Sequence, residues 1–332
     1  MSRPTIAVTR TGLPGTGIER LEKLAELKVW PDNVGPTADE LPRFLSDVDA
    51  LLGMSQDVIS SDVLEAAPHL VAIGQASAGY DNLDLNALTQ RNVQASNCPG
   101  ILMDTTADFA WTLILAASRR LIEADTDVRT GKWTNLTFDY LLGQDVGGST
   151  LGIIGYGQIG KAVAKRGTGF DMRIIHADPF APTDDVSTQV SLDELYAQAD
   201  VISIHTALTD ETRHLINAEA LRKMKPNAVL VNASRGPVVD EKALYDALSS
   251  GTIFAAGLDV FELEPIGKDH PLASLPNAVL APHIASASLS TRGGMVDIAA
   301  DNLTQALQGQ TMKNTLTPDV TPRPPRLTFS DS

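Results

Sequence analysis

The stretch Thr150-Leu-Gly-Ile-Ile-Gly-Tyr-Gly-Gln-Ile-Gly160 decides the fold of this chain. Leu151-Gly-Ile-Ile154 is an apolar run of strand length that leads into Gly155, Gly157 and Gly160 and then a helix-like Lys161-Ala-Val-Ala-Lys165. Each glycine has its own task in such a turn. Gly155 permits the reversal, Gly157 lets a pyrophosphate approach the backbone, and Gly160 lets the helix pack closely on the sheet. The N-terminus of that helix then faces the anion with its free amides. A glycine-rich turn alone is weak evidence, because packing also produces such turns. The strand before it and the helix after it supply the context a dinucleotide site requires. The next strand ends on Asp178, near the spacing of about 20 residues at which an acid accepts the adenosine ribose hydroxyls. Such an acid repels a 2′-phosphate, and no arginine follows it in Pro179-Phe-Ala-Pro-Thr-Asp-Asp185, so NAD (NADH) is expected in preference to NADP. The competing reading of Asp178 is a solvated turn acid.

Outward from this stretch, apolar runs alternate with amphipathic segments of helix length, the pattern of parallel α/β architecture. Six strands are expected in the central part: Leu151–Ile154, Arg173–Ala177, Val201–His205, Ala228–Asn232, Phe254–Leu258 and Ala278–Ala281. Five more precede them, at Thr5–Thr9, Leu27–Trp30, Ala50–Gly53, Leu70–Gly74 and Val93–Ser96. Helices are expected at Gly17–Ala25, Ser61–Ala67, Thr105–Arg120 and Ser290–Leu307, and the proline-rich Thr317–Ser332 reads as loosely ordered. The nucleotide module thus begins well inside the chain. The fold class expected is α/β with two doubly wound domains. A Rossmann domain, residues 99–285, is inserted into a flavodoxin-like substrate domain made of residues 1–98 and 286–332. Two crossings would form a hinge, and the cleft between domains is the expected place for a small-molecule ligand.

Bulk properties remove several function classes. A net charge of −15 leaves no excess of Lys and Arg to neutralise phosphates, so no nucleic-acid partner is expected. The longest apolar stretch, Phe109-Ala-Trp-Thr-Leu-Ile-Leu-Ala-Ala117, is too short to span a bilayer, and no membrane association is expected. The N-terminus enters a strand-like run with no signal-peptide core, and the single cysteine, Cys98, excludes an internal disulfide framework. Both point to the cytoplasm. Cys98 itself reads as a packed residue, not a nucleophile, and with no Cys/His cluster at zinc spacing no metal is expected.

Downstream of the glycine turn, three polar residues each follow a strand. They are Arg235 in Asn232-Ala-Ser-Arg-Gly236, Glu264 in Gly257-Leu-Asp-Val-Phe-Glu-Leu-Glu-Pro265 and His283 in Ala281-Pro-His-Ile284. A cation, a carboxylate and an imidazole after a nucleotide-binding turn suggest hydride transfer with a protonated histidine as proton donor. Singly, each would more often be structural or solvated. His69, His176, His205, His214 and His270 lack such a context and read as structural or exposed.

These segments, with Ser77-Ala-Gly-Tyr-Asp-Asn-Leu-Asp84, make the chain resemble the D-isomer-specific 2-hydroxyacid dehydrogenases from about Thr5 to Thr315. Within that family Thr130-Gly-Lys-Trp133 and Leu142–Gly152 are most similar to glyoxylate/hydroxypyruvate reductases and gluconate-reducing relatives. The resemblance implies that His283 donates a proton to the keto oxygen. An ordinary imidazole pKa near 6.5 suits that task. It implies that Glu264 pairs with the far ring nitrogen, and that Arg235 binds the substrate carboxylate with its planar fork. Backbone amides at Ser77, Ala78 and Gly79 would also hold the carboxylate. Gly155, Gly157, Gln158, Ile159, Gly160, Asp178, Thr206, Ala233, Ser234, Asp259 and His283 would line the dinucleotide, with Asp259 near the carboxamide. Three departures stand out: Asp171 where the family often has glycine, Ala207 in place of a common proline, and Ile284-Ala-Ser-Ala287 where a glycine is frequent. The expected function is an NAD-dependent reductase of small 2-keto acids, glyoxylate and hydroxypyruvate first. Alternatives are a phosphoglycerate, 2-ketogluconate or phosphite dehydrogenase, or a non-catalytic NAD-sensing corepressor. A homodimer is expected, because helix Thr105–Arg120 and the arm to Gly148 exceed what one nucleotide domain needs to cover itself. Met54, Ser55 and the residues near Trp133–Tyr140 are candidates for shaping the acyl pocket.

Overall fold

The computed structural model describes residues 3–325. The chain divides into two compact units, one running to Leu102 and resuming at Ala287, the other Met103–Ser286. The first break falls a few residues later than Cys98, because Met103 opens a helix and the linker runs up to it.

In the first unit the order is β1 (Thr5–Val8), α1 (Gly17–Leu24), β2 (Glu26–Val29), α2 (Leu41–Leu45), β3 (Ala50–Gly53), α3 (Ser61–Ala66), β4 (Ala72–Gln75), α4 (Leu85–Gln90) and β5 (Gln94–Ser96). All neighbours pair in parallel in the order β2-β1-β3-β4-β5, the flavodoxin-like arrangement. The inner strands are apolar on both faces, as a parallel sheet covered twice requires. One face packs on the C-terminal helix through Val296, Ala299 and Leu303. The other packs on Leu41, Leu45, Leu64 and Leu88. Helix starts follow local chemistry: Ser60 Oγ accepts from Val63 N and Asp84 Oδ1 from Ala87 N. Each such cap contributes about 1 kcal/mol.

The tail departs from expectation. Ser96 and Thr315 form an antiparallel bridge, Leu316 N donates to Ala95 O (2.7 Å), and Ala95 N donates to the buried Thr317 Oγ1 (3.1 Å). Arg323 Nη2 reaches Leu70 O (3.1 Å). The tail through Pro325 is therefore tied down, covering the free edge of β5 that would otherwise present unpaired backbone groups. The rest of Thr317–Ser332, from Arg326 on, lies outside the described residues.

The second unit begins with α5 (Met103–Ser118) and α6 (Leu121–Arg129) and continues with β6 (Thr150–Ile154), α7 (Gln158–Gly167), β7 (Arg173–Ala177), β8 (Thr188–Gln189) and α8 (Leu192–Gln198). Then come β9 (Val201–Ile204), α9 (Ala218–Lys223), β10 (Val229–Asn232), α10 (Glu241–Ser250), β11 (Ala255–Leu258) and β12 (Ala278–Leu280). The long helix α11 (Leu289–Leu307) returns to the first unit. The sheet is parallel, in the order β12-β11-β10-β9-β6-β7-β8. It has seven strands instead of the expected six. The added strand, β8, is two exposed polar residues paired to Ile175 and His176 of β7. Helices cover both faces. Trp111 of α5, nearly buried, donates Nε1–H to Val163 O (3.0 Å) and stacks on Phe170 at 4.6 Å. Removing such a ring typically costs about 3–5 kcal/mol. None of the described helices is long and apolar enough to cross a membrane.

Candidate active site

The order of strands reverses between β6 and β9, and the expected nucleotide residues sit at the carboxyl ends of these strands and their neighbours. After β6, Gly155 has φ +88°, and a Cβ there would lie 2.7 Å from the His205 carbonyl and Thr206 N. Only glycine allows that approach of the turn to the end of β9. Gly160 is pressed equally hard, since its Cβ would meet Gly155 O at 2.2 Å. At Gly157, the residue before α7, a Cβ would meet nothing within 4 Å. The turn is thus packed tight on two sides and open on the third, beside the helix N-terminus with Gln158 and Ile159 in its first turn. That open space fits a pyrophosphate approaching free amides. Asp178, at the end of β7, fits the ribose: Oδ2 accepts from Tyr156 N (2.7 Å) and Oδ1 from Phe180 N (2.8 Å). A carboxylate offers about four acceptor sites, so further hydrogen bonds are available. Tyr156 stacks on His176 at 4.0 Å and donates to Asp184 (3.2 Å); burial first, then the Asp184 charge, pushes its phenol up to about 12. His176 is buried with Nδ1 on Ser187 and Nε2 on Ala181 O, a structural residue.

After β10 the chain bends around Asn232, a buried side chain that the sequence reasoning did not single out. Its Oδ1 accepts from Ser234 N (3.0 Å) and Ser234 Oγ (2.9 Å), while Nδ2 donates to Arg235 O (2.9 Å). Ala233 and Ser234 lie within this bend. A Cβ on Gly236 would sit 1.9 Å from the Phe261 carbonyl, so the segment carrying Arg235 lies flat against the loop leading to Glu264. The signal was present as an Asn and a Gly flanking the arginine, but what each touches could not be read from the chain.

Asp259, at the end of β11, is fully buried. Its Oδ1 accepts from Ile284 N (2.7 Å), Oδ2 from Ala285 N (2.7 Å), and its carbonyl from His283 N (2.8 Å). Burial raises its pKa above the ordinary carboxyl value despite these bonds. Its carboxylate, expected near the carboxamide, anchors the turn that carries His283. That turn holds His283 at φ +55°, a left-handed conformation uncommon outside glycine. His283 Nδ1 lies 2.7 Å from Glu264 Oε2, and Glu264 Oε1 accepts from Phe261 N (3.0 Å). Burial opposes ionisation of Glu264, but the bond and charge of His283, the Phe261 amide and the Arg235 charge together hold its carboxyl below the ordinary value. Glu264 is therefore an anion, and Nδ1 carries the proton between them. Nε2 has no partner among the described residues and belongs to a side chain about a third exposed (33%). His283 and Glu264 are thus in contact, and Arg235 lies close enough for its charge to act on Glu264; the acceptor fixes one imidazole nitrogen and leaves the other without a partner among the described residues.

In the first unit Ser77, Ala78 and Gly79 form the loop after β4. Their carbonyls accept from Cys98 N, Asn97 Nδ2 and Gln75 Nε2. Cys98 is buried and its thiol is pushed up to about 12 by burial, which makes it inert. Among the described residues no group of His, Cys, Asp and Glu could hold a metal ion.

Comparison with known proteins agrees with this geometry. Residues 111–285 match the family described as D-isomer specific 2-hydroxyacid dehydrogenase, NAD binding domain. A glyoxylate reductase of Korarchaeum cryptofilum is 46% identical over 329 residues, covering 97% of this chain and 99% of that one. A crystal structure of a Thermus thermophilus protein superposes with a TM-score of 0.89 at 40% identity, covering 94% of this chain and 99% of that one. The NADPH-dependent glyoxylate/hydroxypyruvate reductase of Sinorhizobium meliloti, solved with NADP and malonate, gives 0.80 at 31% identity, covering 97% and 99%. The chain belongs to the D-isomer-specific 2-hydroxyacid dehydrogenases, enzymes that use a nicotinamide cofactor.

Proposed function

We propose that this enzyme reduces glyoxylate and hydroxypyruvate with NADH, with His283 as the proton donor. The observation that carries the reading is the 2.7 Å contact of His283 Nδ1 with an ionised Glu264, which leaves Nε2 presented. The reduced nicotinamide, when bound, supplies the hydride. Everything else falls to the chain. Glu264 holds Nδ1 and fixes the orientation of the ring, which leaves Nε2 for the keto oxygen. Arg235 grips the substrate carboxylate and polarises the carbonyl. The amides of the Ser77–Gly79 loop are further carboxylate donors in this proposal. Gly155, Gly157, Gln158, Ile159 and Gly160 receive the pyrophosphate, while Thr206, Ala233 and Ser234 line the dinucleotide.

Asp178 supports NAD over NADP, because its carboxylate would meet a 2′-phosphate with like charge. The Sinorhizobium neighbour uses NADPH, and the preference of this chain therefore rests on Asp178. The glyoxylate assignment is supported by relatives of that name at 40–46% identity. A panel of 2-keto acids with NADH and NADPH is the direct test. Glyoxylate and hydroxypyruvate should give the highest kcat/KM, and no turnover with any 2-keto acid would overturn the reading.

The protein acts as a homodimer in this proposal. Leu121, Ile122, Val128, Trp133, Leu136 and the fully exposed Phe138 are large apolar side chains left open to solvent along one stretch of the chain, and a second copy would cover them. Light scattering on the wild type tests this: a monomeric mass at micromolar concentration would refute it.

A further inference from the structure

The Ser77–Gly79 loop is held in one orientation by groups that the reaction does not use. Each carbonyl is tied from behind: Cys98 N donates to Ser77 O (2.8 Å), Asn97 Nδ2 to Ala78 O (2.7 Å) and Gln75 Nε2 to Gly79 O (2.6 Å). Ser77 Oγ doubles the last of these at 2.6 Å. In a trans peptide the C=O and the following N–H point in opposite directions. Tying the carbonyls of Ser77 and Ala78 on one side therefore turns the N–H groups of Ala78 and Gly79 to the other. The amides of Ser77, Ala78 and Gly79 meet no acceptor among the described residues. An anion is the kind of ligand such unpaired donors would take.

Gln75 is the hub of this arrangement. It lies at the end of β4, buried at 1% exposure. Its Nε2 lies 2.8 Å from Ser77 Oγ, 2.6 Å from Gly79 O and 3.0 Å from Asn82 Oδ1. Its Oε1 accepts from Asn82 Nδ2 at 2.9 Å, so the two side-chain amides clasp each other reciprocally. Asn82 Nδ2 in turn donates to Asp57 O (2.7 Å), and Asp57 is held by Arg10 (2.8 Å) and Thr9 Oγ1 (2.7 Å). A buried amide is costly unless its hydrogen bonds are made, and a packing role alone would suit an apolar side chain of the same size. Here the bonds run in a continuous line from the strand ends to the loop.

We propose that Asn97 and Gln75, the latter clasped by Asn82, are positioning residues for this loop: Asn97 on the Ala78 carbonyl keeps the Gly79 amide turned toward the substrate carboxylate, and Gln75 on Ser77 Oγ and the Gly79 carbonyl keeps the loop in that shape. The proposal rests on the reading that this loop binds the carboxylate of a 2-keto acid. Preorganised donors spare the substrate the cost of ordering the loop, so their loss should appear in substrate binding. The test is steady-state kinetics on the full-length enzyme carrying Gln75→Met or Asn97→Ala, with NADH binding by fluorescence and thermal melting alongside. Losing a tie that orients the anion cradle should raise KM for glyoxylate roughly tenfold in Asn97→Ala and about fivefold in Gln75→Met, with kcat within about threefold and NADH affinity within about twofold. A folded Gln75→Met with KM within about twofold of wild type would overturn the proposal. So would a fall in kcat and melting temperature with KM unmoved, since general loosening does that. If Gln75→Met does not fold, Asn97→Ala carries the same criterion alone. A wild-type enzyme that turns over no 2-keto acid is a separate outcome, and it overturns the functional reading first.

Discussion

Two alanine substitutions in the glycine turn, only three residues apart, should have opposite consequences. At Gly157 a methyl group meets nothing within 4 Å, and the backbone at φ −74° and ψ −159° is open to any residue. Gly157→Ala should therefore leave stability within about 1 kcal/mol, since a poorer helix cap is offset by a less flexible unfolded chain. The methyl does occupy the open side of the turn. Losing one charge-assisted bond from backbone to phosphate costs about 1.5–3 kcal/mol, which weakens NADH binding roughly 10- to 150-fold. At Gly160 the methyl instead meets Gly155 O at 2.2 Å, backbone against backbone. Overpacking of that kind costs about 1–3 kcal/mol, and at 2–4 °C per kcal/mol the melting temperature should fall by roughly 2–12 °C. NADH fluorescence titration and thermal melting, run on both variants, separate the two effects. If Gly157→Ala melts like wild type and binds NADH with unchanged affinity, the open side of the turn is not where the dinucleotide lies.

His283→Asn should lower kcat by about 10²–10⁴-fold with NADH affinity within about twofold, measured by turnover and titration; retained turnover removes His283 as the acid. Asp178→Ser should narrow the ratio of kcat/KM for NADH over NADPH by about tenfold, and an unchanged ratio denies Asp178 its part in selection. Stability should carry a signature of His205, whose buried Nδ1 has no partner among the described residues and whose pKa burial lowers from 6.5 to about 4. Between those values the unfolded chain binds a proton that the folded one refuses, so stability is full above 6.5 and falls as pH drops toward 4. The loss is at most about 3 kcal/mol. Urea midpoints at pH 7.5, 6 and 4.5 should show it, and His205→Gln should flatten that part of the profile. Finally, Phe138→Asp should shift the mass in solution from dimer to monomer by light scattering, and an unchanged dimer would place the interface elsewhere.

Much of the architecture is legible in the chain because buried parallel strands are written as plain apolar runs. Val229–Asn232 and Ala255–Leu258, buried throughout, lie within a residue of where the pattern puts them. Strand β8 escapes because Thr188–Gln189 is short, exposed and polar, with only its pairing to β7 to mark it. The tail misleads for the opposite reason. Its prolines suggest loose chain, but proline removes only the donor, and Leu316 and Thr317 still supply bonds to the edge of β5. In the site, Arg235, Glu264 and His283 are legible because their chemistry is unusual for strand ends. Asn232, Gln75 and Asn82 are not, because an amide side chain does not itself declare which of the surrounding groups it will bond once the turn beside it has folded.

The 1.9 Å clearance at Gly236 has a wider consequence. The backbone that carries the arginine and the loop that carries the glutamate share a single joint, with no slack for a side chain between them. Any displacement of one is handed to the other as a rigid lever would hand it on. Under the roles proposed for Arg235 and His283, affinity for the substrate carboxylate and readiness of the proton donor are then coupled, and variants selected for a new acyl group will have to change the pocket while leaving this joint as it is.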